Sequence, residues 1–456
     1  MKRNAEETMI LNENLWKVMW KLSWPAVLAM ALYGLNMVAD AVFVGRFVGE
    51  KALSGVSAAY PFTQGTYALG ALFGSGTGAL LSIAIGEQDT CTKERIVGNV
   101  NFLIIISGVF LGGISYFISP LLLSFIGMEG VDFQYANEYL QIILLGSILT
   151  LGALTSNMII RAEGKMKTAA GIMGIALIIN IIANYIFMGI FSFGVKGAAW
   201  GTNLGLFTGI VLFYRYCHKG RAGFDMNEKK VHRDPDILRQ ILSLGFPSFI
   251  TTIMALIQGT FAVYALNKYG GTEDIAFYGM VLRLFNFCIT PIYGVMFAIQ
   301  PVVGINFGAG KYRRLISVYK VFTTSALLLV FPFCLLGFLF PMRIFQFMLP
   351  DKVFVYQDVI NFRYLMGIIP VLPGVLMALN FLTGTKKPKP ATIIGLTRQV
   401  LLQIPATLLL PRFFGIPWLY KGYFFIDVSL AIIVFALMYQ EFKILGEMEE
   451  GMNPLC

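Results

Sequence analysis

The chain is 456 residues long, 57% hydrophobic and only 13% charged. Its apolar runs are continuous and of spanning length, which excludes a transmembrane barrel with short alternating segments and leaves an all-α polytopic membrane protein. A net charge of +10 would point to nucleic acid in a soluble protein, but here the basic residues gather in alternate loops, as membrane orientation requires, and no nucleic-acid partner is expected.

Met1–Glu13 is polar and charged, and no cleavable leader is expected before the first span. Twelve spans are predicted, over 17–44, 53–85, 97–125, 134–160, 168–190, 196–216, 238–267, 274–305, 316–341, 356–382, 391–411 and 419–440. The gaps after the even spans are basic: Lys93 and Arg95, then Arg161, Lys165 and Lys167, then Lys219, Arg221, Lys229, Lys230 and Arg233, then Lys311, Arg313 and Arg314, then Lys386, Lys387 and Lys389. The gap after span three, IGMEGVDFQYANEY, is purely acidic, and LPDKVFVYQD after span nine is net negative. The positive-inside rule therefore places both termini in the cytoplasm of a multi-pass cell-membrane protein. The polar stretch 218–237 reads as a cytoplasmic linker between a first six-helix lobe (1–217) and a second (238–445), with 446–456 as a cytoplasmic tail.

Within the first span, WPAVLAMALYGLNMVADAVFVGRFV carries one carboxylate, Asp40. At about 1.5 Å per residue it lies roughly 24 Å from Trp24, well inside a hydrocarbon core of about 30 Å. Asn36 and Tyr33, one and two turns earlier, share its face. A charge at that depth costs at least about 2.5–3.5 kcal/mol and faces a bundle interior or wet cavity, as a proton or cation site or as a structural acid satisfied by neighbours.

The two halves repeat. Pro25 matches Pro247, Gly49 matches Gly271 and Gly86 matches Gly308, all at an offset of 222 residues. RAEGKMK meets LTGTKKPK near the same offset, and Gly194 falls close to Gly415. Six spans per half give equivalent spans the same orientation, so the repeat is parallel, about an axis along the membrane normal, as in transporters with a site between two lobes. Five cysteines without CxxC spacing read as packing or loop residues, not as a disulfide frame. His218 and His232 both fall in the linker, and the chain lacks HExxH and GxxxxGK[ST] motifs, so no enzyme or ATPase chemistry is expected. Gly86 and Gly308–Gly310 read as turns at helix ends.

The Pro25…Asp40…Gly45 pattern, RAEG at 161–164, GVKGAAWGT at 194–202 and QPVVGINFGAGKYRR at 300–314, in that order on a six-plus-six frame, resemble the multidrug and toxic compound extrusion (MATE) transporters. The resemblance covers nearly the whole chain. It implies two pseudo-symmetric six-helix lobes around a V-shaped cavity and export of organic, often cationic compounds driven by Na⁺ or H⁺. No cofactor is implied besides the coupling ion, and the partners implied are small organic substrates and membrane lipids, with the protein acting as a monomer.

By position, the resemblance carries the cation site onto Asp40, onto Asn180 and Asn184 in IALIINIIANYIFM, and onto Thr202 in GAAWGTNLG. The helical rise independently puts all four in one layer. Asn184 stands where many relatives have a second acid. One carboxylate with amide and hydroxyl oxygens suits a hard cation, so these four would be the Na⁺ ligands if Na⁺ is the coupling ion; interhelical hydrogen bonding is the alternative role for the two amides.

Substrate-lining candidates are Tyr33 and Asn36 on span one and Tyr60, Thr63, Gln64 and Tyr67 on span two, an aromatic and amide face suited to lipophilic cations. In the second lobe Ala262 occupies the position of Asp40, and the intramembrane charges are Arg283, Arg363, Arg398 and Asp427. Arg398 and Asp427 are expected to pair across spans eleven and twelve; with Arg283 they complete the lining candidates. These arginines keep a second function open, a flippase for a lipid-linked precursor, beside ion-coupled export.

Overall fold

The computed structural model describes residues 4–125, 128–220, 222–223, 233–348 and 353–452. Among these every regular element is helical. The first half runs α1 (Ala5–Asn12), α2 (Leu15–Phe47), α3 (Glu50–Glu87), α4 (Thr90–Phe125), α5 (Gly130–Leu145), α6 (Ser147–Ala162), α7 (Met166–Asn184) with a π turn at Tyr185–Ile190, and α8 (Gly194–His218). The second half runs α9 (Pro235–Tyr269), α10 (Thr272–Gly308), α11 (Tyr312–Leu339), α12 (Pro341–Met348), α13 (Tyr356–Ile368), α14 (Leu372–Gly384), α15 (Pro388–Leu396) with a π turn at Thr397–Gln403, α16 (Ile404–Phe414) and α17 (Pro417–Met452).

Among the described residues ten helices are long and apolar enough to cross a membrane, and α5 with α6, bent by 54°, supplies an eleventh. The break falls at Gly146, where the Asn203 side chain sits against the glycine. The twelfth column is α8, long enough to span but dotted with Gly, Thr and Asn. Proline is tolerated inside α2, α3, α9, α10 and α11 because neighbouring helices re-satisfy the freed carbonyls. Asn14 caps α2 through Trp16 N at 2.9 Å, and Asp234 caps α9 with Pro235 at its first turn. The stretch assigned to a tail is helical through Met452, as a continuation of α17. Most of the linker, including Lys229, Lys230 and His232, lies outside the described residues, as does Cys456.

The halves meet through α3, α9, α10 and α2. A Cβ on Gly76 would overlap the Ile241 carbonyl, one on Gly245 the Leu72 carbonyl, and one on Gly294 would lie 2.6 Å from Val27 Cα. Gly86 and Gly308 face each other's helices in the same way. Both therefore act as missing side chains inside α3 and at the end of α10, and not as the turns the sequence suggested; of that group Gly310 alone takes a positive φ, +71°. Ser75 Oγ donates to Ser248 Oγ at 2.8 Å, Gln300 Nε2 to Ser75 O at 2.9 Å, and Lys386 pairs with Glu87 at 2.7 Å. All of these contacts lie toward the end of the bundle that carries both termini. On the opposite halves of these helices a Cβ at Gly65, Gly259 or Gly279 would meet nothing within 4 Å, so the close glycine contacts between the halves gather at the terminal end.

Helix α1 was not foreseen. Met9, Ile10 and Leu11 are 4%, 0% and 2% exposed. Ile10 packs at Gly164, and Glu7 accepts from Gln88, both in the first half. The carbonyls at its C-terminal end take bonds from the second half, Ile10 O from Arg314 Nη2 at 3.0 Å and Leu11 O from Lys311 Nζ at 2.8 Å. This is where a helix dipole favours cations.

Candidate ion site in the first half

Asn36 and Asp40 lie one turn apart on α2, and Asn36 Nδ2 donates to Asp40 Oδ2 at 3.3 Å. The last residue of α7 before its π turn is Asn184, whose Nδ2 donates to Asp40 Oδ1 at 2.7 Å. One turn back, Asn180 Nδ2 donates to Thr202 Oγ1 at 3.4 Å, and Thr202 Oγ1 donates to Ala198 O at 3.1 Å. The four residues carried over by position thus form two linked pairs between α2, α7 and α8. Both carboxylate oxygens accept from amide N–H groups, as suits an ionised acid, which can only accept.

The carbonyl ends of these amides are left over. Oδ1 of Asn36, Asn180 and Asn184 is buried with no hydrogen-bond partner, and a buried unpaired acceptor is costly, about 1–3 kcal/mol. Asn36 and Asn184 flank the carboxylate and Asn180 follows one turn back; amide oxygens turned toward it would suit a hard monovalent cation, and the same carboxylate can take a proton. Among the described residues no group of three or more His, Cys, Asp or Glu side chains is placed to hold a metal ion.

The close approach of α7 and α8 follows from glycine. Gly197, Gly201, Gly205 and Gly209 repeat every fourth residue along α8, the small-residue spacing that lets membrane helices meet backbone to backbone. A Cβ at Gly201 would overlap Asn184 Oδ1, and one at Gly205 would lie 2.9 Å from Asn180 Cβ. This face was legible as a Gly-x-x-x-Gly run, yet the sequence reading used it only as a family motif.

Beside the acid stands an aromatic wall. Tyr33 and Tyr67 share a side-chain hydrogen bond, Tyr60 bonds Gln64, and Tyr139 lies within electrostatic reach of Asp40. Tyr139, on α5, is an addition to the sequence-derived set; its signal was the Tyr135–Tyr139 pair four residues apart. Thr63 departs from expectation: it is buried, and its hydroxyl bonds Tyr60 O on its own helix at 2.8 Å.

In the second half, Arg398 Nε and Nη2 reach Asp427 Oδ1 and Oδ2 at 2.6 and 3.1 Å. Gln403 Nε2 stands 3.5 Å from both oxygens. Arg398 lies in the Thr397–Gln403 π turn, whose extra residue re-aims the side chain. Arg283 and Arg363 go elsewhere, Arg283 exposed on α10 and Arg363 Nη2 bonded to Phe338 O at 3.1 Å. Ala262 is fully buried where the first half has its acid.

A family model described as MatE matches residues 25–186 and again 247–409. The Multidrug export protein MepA of Staphylococcus aureus is 26% identical over 301 residues, 65% of this chain and 66% of that protein. The Probable multidrug resistance protein YpnP of Bacillus subtilis is 26% identical over 308 residues, 66% of this chain and 67% of that protein. The aligned stretch spans about two thirds of the length of MepA. Among solved structures, the "Outward-facing conformation of a multidrug resistance MATE family transporter of the MOP superfamily" superimposes with TM-score 0.90 at 22% identity, covering 98% of this chain and 100% of that one. A MOP superfamily transporter from Pyrococcus furiosus, reported with a binding pocket of reversed polarity, gives TM-score 0.89 at 22% identity, again over 98% and 100% of the two chains. These likenesses show the twelve-helix fold in two lobes. Matched twice by one family model over most of its length, the chain belongs to the MatE family of membrane transporters.

Proposed function

We propose that the protein is an antiporter that exports organic compounds, cationic or lipophilic, in exchange for Na⁺ or H⁺, by alternating access between two lobes. The observation that carries the coupling is a carboxylate deep in a span, Asp40, held by two amide N–H groups whose own oxygens are buried and unpaired. The first-half residues have separable parts. Asp40 takes the proton or the cation, Asn184 and Asn36 orient its oxygens, and Asn180 with Thr202 supplies neutral oxygens. The tyrosines at positions 33, 60 and 67 offer ring faces to an organic cation.

The lobes are closed at the terminal end, so the exchange requires the glycine seam of α3 with α9 and α10 to open there and the acidic end to close. Basic loops at the terminal end support a cytoplasmic location for both termini. The names of MepA and YpnP support drug export as the direction. A flippase for a lipid-linked head group would need free cationic groups in the cleft, and Arg398 is engaged by Asp427 on two atoms. The test is uptake of a fluorescent organic cation into reconstituted vesicles, with Na⁺ and pH gradients imposed separately. Asp40→Asn should insert normally and abolish gradient-driven transport; coupled transport at the normal rate by that variant would overturn the assignment.

A further inference from the structure

The two amides beside Asp40 are turned the same way. Each gives its N–H₂ to the carboxylate, at 2.7 Å from Asn184 and 3.3 Å from Asn36, and each leaves its Oδ1 buried and unpaired. That arrangement fits a bare carboxylate. Loading the site reverses the demand, because a carboxylic O–H needs an acceptor and a bound cation needs oxygen ligands. An amide that keeps its hydrogens toward the loaded group would meet a donor or a cation with a donor. One amide turned end for end would supply that oxygen when the ion arrives.

Asn184 is fully buried, and its side chain rests on Gly201 of α8. A Cβ at position 201 would overlap Oδ1 and come within 3.0 Å of Cγ and 3.1 Å of the Asn184 main-chain nitrogen. The glycine thus lets the amide lie against α8 with no side chain between them. Gly197, one turn earlier, also makes a tight approach, but a looser one and to other groups: a Cβ there would lie 3.0 Å from the Phe187 main chain and 3.1 Å from Met188 Cγ.

We propose that the Asn184 amide reverses on ion loading, from donor to the free carboxylate to oxygen ligand of the loaded one, and that Gly201 is the positioning residue that permits the reversal. The proposal rests on Asp40 as the coupling site. It also assigns the unpaired Oδ1 of Asn184 a role in the cycle: it is the ligand of the other state.

The full-length protein in vesicles tests it, with Gly201→Ala set against Gly197→Ala as the packing control. In Gly201→Ala the amide is displaced, so half-maximal transport should need about tenfold more Na⁺ where Na⁺ drives it, through loss of an oxygen ligand. Where protons drive transport, the free carboxylate loses a charge-assisted bond and the loaded acid a weaker neutral one, so it should need only about threefold fewer; a fall of about tenfold or more would show an amide that donates and never reverses, and overturns the proposal. Gly197→Ala should lower thermal stability and leave the half-maximal ion concentration in place. An unchanged concentration in folded Gly201→Ala, or an equal shift in Gly197→Ala, overturns the proposal. If Gly201→Ala inserts poorly, Asn184→Ala with Gly201→Ala removes the overlap; the double variant should match Asn184→Ala alone, and any further shift in ion dependence overturns the proposal. Normal coupled transport by Asp40→Asn is the separate result that would remove the underlying site.

Discussion

Ile10→Ala should loosen the closure at the terminal end. Ile10 has no exposed surface, packs at Gly164 of the first half, and its carbonyl accepts from Arg314 of the second. Truncating a buried isoleucine to alanine costs about 2–5 kcal/mol, and α1 sits at the rim of the bundle, so the low end applies. A looser seat for α1 on the first half weakens the link its carbonyls make to Arg314 and Lys311 of the second, so up to about 2 kcal/mol is lost from the closed form. That changes the closed-to-open ratio by up to about 30-fold. Ser82, buried on α3 against Gly304, reports the opening when changed to Cys in a background lacking exposed Cys91. Its reaction with an impermeant thiol reagent applied at the terminal face should accelerate by up to that factor. Arg314→Gln removes charge-assisted bonds to the Ile10 and Glu13 carbonyls, worth about 1.5–3 kcal/mol each, and should act in the same direction. Wild-type labelling rates in both variants, at wild-type folded yield, would show that α1 travels with one lobe and holds nothing shut.

In the second half, Arg398→Gln leaves Asp427, 4% exposed, without its counter-charge and should lower stability by about 3–5 kcal/mol; adding Asp427→Asn should recover most of it in a thermal melt. Asp89→Ala should cost about 1 kcal/mol at neutral pH, because Asp89 Oδ1 caps α4 through Thr92 N at 3.1 Å. The Thr92 hydroxyl is the main influence holding the Asp89 carboxyl below its ordinary range. Its contribution is therefore complete above about pH 4 and lost as pH falls through the lowered value, so wild type and variant should converge in acid. Single cysteines at Glu129 and Lys387 should label from outside and inside respectively, and labelling of Glu129→Cys from the cytoplasmic face alone would reverse the topology.

The spans and the repeat were legible because lipid imposes them: runs of apolar length, basic loops and Pro25 and Pro247 in matching places. Asp40 was legible for the same reason, as a charge too deep to be indifferent. What sequence could not separate is the two uses of glycine. Gly86 and Gly310 stand close in character to a turn signal, yet one sits inside a helix against a neighbouring backbone and the other takes a positive φ. Only the partner helix distinguishes a missing Cβ from a left-handed turn. Helix α1 was hidden differently. Its apolar residues are consecutive, Met9, Ile10 and Leu11, with no helical period, and their burial comes from surfaces distant in the chain. The π turns at Tyr185–Ile190 and Thr397–Gln403 left no local signal either, although the first follows Asn184 and the second contains Arg398, both singled out in the site reading.

The two halves fill one equivalent helix crossing differently. Counted from the positive-φ residues Gly164 and Lys386, Arg398 falls at the position of Ala176. Counted from Gly194 and Gly415, Asp427 falls within one residue of Gly205. In the first half this crossing is a backbone contact, since a Cβ on Gly205 would lie 2.8 Å from the Ala176 carbonyl. In the second half it is an ion pair, Arg398 to Asp427 at 2.6 Å. The duplicated frame therefore closes the same helix crossing in two ways, and the polar groups follow. Where the crossing is filled by glycine and alanine, the acid of that half, Asp40, has amides for neighbours. Where the crossing carries arginine, the acid has a cation that is part of the chain and cannot leave. On the proposed function, the exchangeable ion would bind beside Asp40, the acid of the half in which the crossing is kept small.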